Sequence, residues 1–453
     1  MSLRMIERSK RSWLPAGALK AGVFMVVLGA CGGGGVTDTP PPVGRDTTIS
    51  GGGVVQRTSL TVRVAVDPED LALTNQAGVS TTGLTVRLAK TGASGEAMSA
   101  VTDATGHARF EQLLEGLYQV TVERALTVTE VGKLMPADRD RSVLAGGAQV
   151  VLTPPAPSTI VVSAVISRRG SLVISEVYGH TAIVANMSYG WAHYYEIQNA
   201  SDTTIYLDGL LLFRDPPNYR EAFTGGVPCS VNEPMRSDST AVWAHRILRF
   251  PGSGREFPLP AGAFSVIALD ALNHRMATGA DLPDLSKASF EEFATDADID
   301  NAFAANMVRV TASSGLATRG SAIGSGNMIG IALGIARDTF GLQRATATNG
   351  AQNTRFSVWR IPREAILDVA GFDLPTEKFM SLGAYAAGLR KCLPWAPSVF
   401  ERAPSLLFDI DLNRALRRRS IGRSASGVEI LQRTRTGARD FEVAPPLRRS
   451  LDK

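Results

Sequence analysis

Gly116-Leu117-Tyr118-Gln119-Val120-Thr121-Val122 sets Tyr118, Val120 and Val122 at every second position, and that alternation decides how the chain is read. Successive side chains of a strand point to opposite faces, so a period of two marks a half-buried strand. The same period runs upstream through Leu60, Val62, Val64 and Val66, and again through Leu84, Val86 and Leu88. Between two such runs lies Thr102-Asp103-Ala104-Thr105-Gly106, whose Asp and Gly are the chemistry of a tight reversal. Residues 58–166 therefore read as a small all-β unit.

Downstream, strand-like runs continue. They include Leu172-Val173-Ile174-Ser175-Glu176-Val177-Tyr178, Tyr194-Tyr195-Glu196-Ile197-Gln198-Asn199 and Ile205-Tyr206-Leu207-Asp208-Gly209-Leu210. Phe257-Pro258-Leu259-Pro260-Ala261-Gly262 then leads into Phe264-Ser265-Val266-Ile267-Ala268. Residues 167–453 form a second β unit on this reading. Its excess length is expected in loops and short helices at 214–245 and 272–325, where Ser289 and Glu292 have the spacing of a capping box.

Upstream, Arg4, Arg8, Lys10, Arg11 and Lys20 precede the apolar run Ala21–Leu28, which is too short for the ~20 residues a bilayer core takes. This is the pattern of a secretory signal. Leu28-Gly29-Ala30-Cys31 resembles a lipobox, which implies cleavage before Cys31 and lipidation of its thiol. Two or three acyl chains at about 0.8 kcal/mol per buried CH₂ anchor a protein stably. Gly32 follows the Cys, where Asp would signal retention at the inner membrane, so the resemblance implies the outer membrane. Residues 32–57, rich in Gly, Pro and Thr, cannot bury enough apolar surface to fold. As a flexible coil they would span roughly 28 Å.

Two further resemblances rest on the strand motifs. Val101-Thr102-Asp103-Ala104-Thr105-Gly106-His107-Ala108-Arg109-Phe110, with Leu113 and Gly116–Val122, resembles carboxypeptidase-regulatory-like or Cna-B-like modules. Those are small β-sandwiches without catalysis of their own. The motifs from Ile174 to Gly262 resemble the lamin-tail domain, an immunoglobulin-like sandwich. The whole layout is similar to an uncharacterised family of bacterial envelope lipoproteins. Asp281–Glu292, Asp298–Asn301 and Asp440-Phe441-Glu442 fit that family's pattern, and Thr434–Ala438 departs from it. The implied fold is mostly β, with two tandem immunoglobulin-like sandwiches, the second enlarged by insertions.

Charge excludes a class of partner. The chain has 47 Lys and Arg against 43 Asp and Glu. The leader holds five of the former and one of the latter, so the remainder carries 42 of each. A nucleic-acid binder would need a basic domain or stripe. Arginines do crowd the C-terminal stretch, at Arg414, Arg417, Arg418, Arg419, Arg423, Arg433, Arg435, Arg439, Arg448 and Arg449. A solvated surface and contact with anionic lipid or acidic glycan are both open readings. With Cys31 lipidated, Cys229 and Cys392 remain as a candidate disulfide in an oxidising compartment, against two buried thiols.

Motifs for chemistry are sparse. His107, His180, His193, His245 and His274 show no metal-protease spacing, and no Gly-x-Ser-x-Gly elbow occurs. Gly324-Ser325-Gly326-Asn327-Met328-Ile329-Gly330 lacks the lysine of a phosphate loop. Asp296, Asp298 and Asp300 alternate as Ca²⁺ ligands can, but Asn301 and Met307 stand where an EF-hand has Gly and Glu. No other cofactor is expected. Six of eight tyrosines lie between 178 and 219. Tyr189, Trp191, Tyr194, Tyr195 and Tyr219 are the candidate ligand surface, because adjacent strand residues such as Tyr194 and Tyr195 face opposite ways and should not both be core. The expected role is a non-catalytic binding or adaptor module with a glycan, peptide or outer-membrane protein as partner. A structural envelope component and a hydrolase with a dispersed site are the alternatives.

Overall fold

Tyr118, Val120 and Val122 all point into one core, with Leu60, Val62, Val64, Val86 and Leu88 beside them. In the computed structural model the described residues are 56–92, 97–135, 138–139, 141–168, 170, 172–180, 182–214, 238, 240–244, 246–292, 300–310, 331–349, 354–373, 406–407, 413–424, 426–434, 436–447 and 451. The first seven strands are β1 Thr58–Val66, β2 Thr85–Lys90, β3 Met98–Val101, β4 His107–Leu113, β5 Gly116–Ala125, β6 Val143–Leu152 and β7 Ser158–Ser167. They form one sheet in the order β3-β2-β5-β6-β7-β1-β4, in which β1 and β7 pair in parallel. The reversal between β3 and β4 is closed by Asp103, whose Oδ1 accepts from the backbone N–H of Thr105 and His107. Gly106 there has φ +79°, and a Cβ would meet the Val64 carbonyl at 2.9 Å. Two short helices, Leu71–Ala77 and Val128–Lys133, pack beside this sheet.

The chain then enters β8 Leu172–Tyr178, a small hairpin of β9 Ala182–Val184 and β10 Met187–Tyr189, and β11 Tyr194–Asn199. β8 and β11 are the centre of a second seven-stranded sheet, with Phe264–Ala268, Phe290–Glu291 and Ala305–Asn306 on one side and Ala415–Arg418 and Phe441–Ala444 on the other. A six-stranded sheet containing Leu211–Arg214, Arg246–Arg249, Ile331–Ala336 and Ile366–Asp373 faces it. The core between them takes Ile174, Val177, Tyr195 and Ile197 from one sheet and Leu212, Leu248, Ile335 and Ala370 from the other. Outer layers cover both backs of this sandwich. Residues around Ala271, Leu285, Ala304 and Leu451 pack on Tyr178 and Tyr194, and the three-stranded sheet with Ala241–Ala244 packs on Phe213 and Ile247. The protein is mostly β, as its sequence pattern implies.

Three expectations are corrected here. Tyr194 and Tyr195 are both buried, at 0% and 2% exposure, because β11 lies between two cores. Alternation sorts side chains to opposite faces but does not leave either face to water. Ser289–Glu292 starts no helix. Phe290–Glu291 is a short strand pairing in parallel with Phe264–Ala268. Of the C-terminal arginines, Arg418 and Arg433 are buried and Arg417 and Arg439 half-buried. Arg414, Arg419 and Arg423 are exposed, while Arg435, Arg448 and Arg449 lie outside the described residues. A solvated surface therefore describes only part of this stretch, and the rest turns inward.

That last point explains how the chain packs as one compact unit from Val55 to Lys453. Arg418 and Arg433 are buried around Asp368: Arg418 Nη2 donates to Oδ2 at 2.8 Å and Arg433 Nε to Oδ1 at 3.2 Å. Oδ2 also accepts from the Ile174 N–H of β8. Arg439 reaches the first sheet, donating to Asp67 Oδ1 and Asp70 Oδ1, each at 3.0 Å, with Glu69 beside it. Asp70 is itself buried against Arg141 and the Ile166 N–H of β7. The hairpin Ser420–Arg423/Glu429–Leu431 lays Ile421 and Ile430 on Val143, Ala145 and Val165 of the first sheet. A Cβ at Gly147 would fall 2.2 Å from the Ile421 carbonyl, so only glycine permits this approach.

Burial alone would push the Asp368 carboxyl up, but Arg418 and Arg433 hold it below its ordinary 3.8. Asp70 is likewise lowered by Arg141 and Arg439 against its burial. A carboxyl depressed in the fold contributes stability that is complete above the unfolded value and lost as pH falls through the folded value. Urea unfolding should therefore show stability falling below about pH 4. Asp368→Ala leaves two buried guanidiniums without their carboxylate and is expected to cost about 3–5 kcal/mol. Arg109→Ala, which breaks an exposed pair with Glu111, should stay within about 0.5 kcal/mol.

Candidate functional site

Of the five aromatic residues proposed as a ligand surface, the structure leaves Tyr189 and Trp191 at the surface, both half-buried. Tyr194 and Tyr195 are core, and Tyr219 lies outside the described residues. Tyr189 ends β10 and pairs with Ala182 across the hairpin. Its hydroxyl lies 2.8 Å from Nδ1 of His274, the first residue of the short helix His274–Thr278. His274 Nε2 lies 2.9 Å from the Asp270 carbonyl, which can only accept. Nε2 therefore carries the ring hydrogen, and Nδ1 accepts from Tyr189. Burial holds the imidazole pKa below 6.5, with the Asp270 carbonyl opposing it, so His274 is neutral at neutral pH. The result is a tyrosine pinned by a fixed tautomer beside a half-exposed tryptophan. Sequence reasoning found both aromatics and missed the buried histidine that orients one of them.

The titratable groups beneath this rim are engaged inside the fold. Tyr194 stacks on Tyr178 with ring centres 5.2 Å apart and donates its hydroxyl to Glu176 Oε1 at 2.5 Å. Glu176 Oε2 accepts from the Leu447 N–H, and Glu196 directly opposite on β11 accepts from Ser175 Oγ. His193 Nε2 lies 3.1 Å from the His180 carbonyl. Burial raises the Glu291 carboxyl, its two N–H donors from Asn301 and Ala271 oppose this, and nearby Asp300 adds to the rise.

Asp300 is the described member of the Ca²⁺ candidate. It is exposed and accepts from Asn306 Nδ2 at 3.0 Å. Asp296 and Asp298 lie outside the described residues, as do Cys31, Cys229, Cys392, His245 and the glycine run 324–330. Among the described residues no group of three or more His, Cys, Asp or Glu side chains is arranged to hold a metal. A cleft of about 400 Å³ opens beside the C-terminal strands, lined by Arg417, Arg419, Gln432 and Glu442 among others. Glu442 takes hydrogen bonds from Arg417 at 2.5 Å and Arg419 at 3.4 Å, so its cations are matched from within.

No family model and no curated protein matches the sequence. Among solved structures, a DUF4876 family protein from Bacteroides thetaiotaomicron shares the fold. Its TM-score is 0.51 at 18% identity, over 87% of this chain and 98% of its own. Two others overlap far less well. A DUF3823 family protein from Parabacteroides merdae has a TM-score of 0.16 at 13% identity, covering 36% of this chain and 67% of its own. A candidate adhesin from Bacteroides ovatus has 0.17 at 6%, over 68% and 86%. The first likeness concerns architecture, and architecture does not carry activity with it. The other two are too remote in shape to support an argument.

Two conservative variants separate the rim from the core. Tyr194→Phe deletes only the hydroxyl that donates to buried Glu176, and a loss of about 1–3 kcal/mol in urea unfolding is expected. Tyr189→Phe deletes a hydrogen bond at the surface, for which about 1 kcal/mol is expected.

Proposed function

We propose that the protein is a lipid-anchored, non-catalytic binding or adaptor module of the bacterial cell envelope, tethered through Cys31 and held off the membrane by residues 32–57. The observation that carries this reading is the lipobox-like Leu28-Gly29-Ala30-Cys31 in front of a tether and a mostly β body. The outer membrane is the favoured face, from Gly32. Non-catalytic action is favoured because the buried acids and histidines named above serve as hydrogen-bond partners of the fold. Loops on a rigid β scaffold commonly carry recognition. Here Tyr189, oriented by His274, and Trp191 nearby offer flat apolar area that suits stacking on a glycan or contact with an extended peptide.

Two measurements test the reading. Cys31→Ala should abolish incorporation of labelled palmitate and move the protein out of the detergent phase in a Triton X-114 partition. A wild-type protein that takes up no palmitate contradicts the anchor. Trp191→Ala should weaken binding to the ligand found by glycan or peptide array by about 2 kcal/mol or more, roughly thirtyfold, with little change in melting temperature. Multiple turnover on a polymer substrate, lost on changing one Asp or His, would replace the binding reading by the hydrolase.

A further inference from the structure

Arg417 and Glu442 stand opposite each other where the strand Ala415–Arg418 pairs with Phe441–Ala444. Nε and Nη2 of Arg417 both donate to Glu442 Oε1, and Arg419 Nη1 reaches Oε2 at 3.4 Å. All three side chains line the cleft of about 400 Å³ beside the C-terminal strands, a volume within the range of small-ligand sites, about 300–1,000 Å³. Among the described lining residues the charges cancel. Arg417 and Arg419 are matched in number by Glu442 and Glu429, and the buried Arg418 is answered by Asp368 and Asp440. Hydrogen-bonding capacity does not cancel. Arg419 is 45% exposed, and its Nε and Nη2 make no hydrogen bond among the described residues. The same holds for Nη1 of Arg417 and for the exposed hydroxyl of Ser420. The donors are nonetheless held in place. The Arg419 N–H donates to the Asp440 carbonyl at 2.8 Å, and the Arg419 carbonyl accepts from the Gln432 N–H at 2.9 Å.

We propose that this cleft binds a neutral sugar unit through Arg419, Ser420 and Glu442. A guanidinium only donates and a carboxylate only accepts, whereas a hydroxyl does both. Two adjacent ring hydroxyls can therefore bridge Arg419 and Glu442, each accepting from one side and donating to the other. The widely spaced amides of a peptide do not offer that pairing. Uronic acids and sulfated sugars would bring a charge that the balanced lining leaves uncompensated. Ile421 and Leu447 also line the cleft and supply the apolar contact that the C–H face of a sugar ring takes. The inference rests on the binding-module reading and adds a second site to it, since neither Tyr189 nor Trp191 lines this cleft.

Calorimetric titration of the full chain tests it. The probes are lactose, maltose, cellobiose and N,N′-diacetylchitobiose, with glucuronic acid and a sulfated disaccharide as the charged arm. At least one neutral member should bind saturably in the millimolar range or tighter. Arg419→Ala and Ser420→Ala should each weaken that binding about tenfold or more. Both residues are exposed, so the melting temperature should not move. Saturation by no neutral member overturns the proposal, as does preference for the charged arm. Binding lost in Trp191→Ala and kept in the two cleft variants belongs to the aromatic rim; it overturns the cleft and leaves the binding-module reading standing. A protein that binds nothing on glycan and peptide arrays overturns both.

Discussion

Asp368 sits between two buried guanidiniums, and the packing of the whole C-terminal region follows from satisfying it. A carboxylate removed from water demands charge and hydrogen bonds in return. It finds Arg418 from the strand Ala415–Arg418, Arg433 from beyond the last hairpin, and the Ile174 N–H of β8. Three segments distant in sequence are thereby brought to one point. Arg418 also lies 4.2 Å from the Phe441 ring centre and donates to the carbonyls of Ile174 and Gln432. Once these are fixed, the hairpin carrying Ile421 and Ile430 has one way to meet the first sheet, and Arg439 falls within reach of Asp67 and Asp70.

The two ion-pair centres share a logic. Asp70 does for Arg141 and Arg439 what Asp368 does for Arg418 and Arg433. Apolar contacts between the β regions are few and small, chiefly Val143, Ala145 and Val165 against Ile421 and Ile430. Orientation at this junction is therefore set chiefly by directional bonds, of which Arg439 to Asp70 is the most buried. Such an arrangement gives a scaffold with fixed geometry.

The sequence was legible where structure is local. The alternation in Leu60–Val66 and Tyr118–Val122 reports one buried face, and the structure buries that face. The turn at Thr102–Gly106 and the strands containing Ile174, Tyr194 and Phe264 were equally readable, because they depend on neighbours a few residues away. Burial of Tyr195 and Tyr194 on opposite sides was not readable. It depends on a second sheet and on a covering layer contributed by residues up to Leu451. Which of the C-terminal arginines turn inward was not readable for the same reason. Its partners, Asp67, Asp70 and Asp368, lie dozens to hundreds of residues away, and composition cannot show which charges meet. His274 was visible as a residue, but its role follows only from the fold that brings Tyr189 to it.

The central claim is that buried ion pairs make the two β regions one cooperative body. Hydrogen–deuterium exchange read by mass spectrometry across a urea series tests it most directly on the intact protein. Peptides from β1 to β7 and peptides from β8 and β11 should lose protection together, at one urea concentration. Loss of protection in the first sheet at clearly lower urea, with the second still protected, would contradict the account.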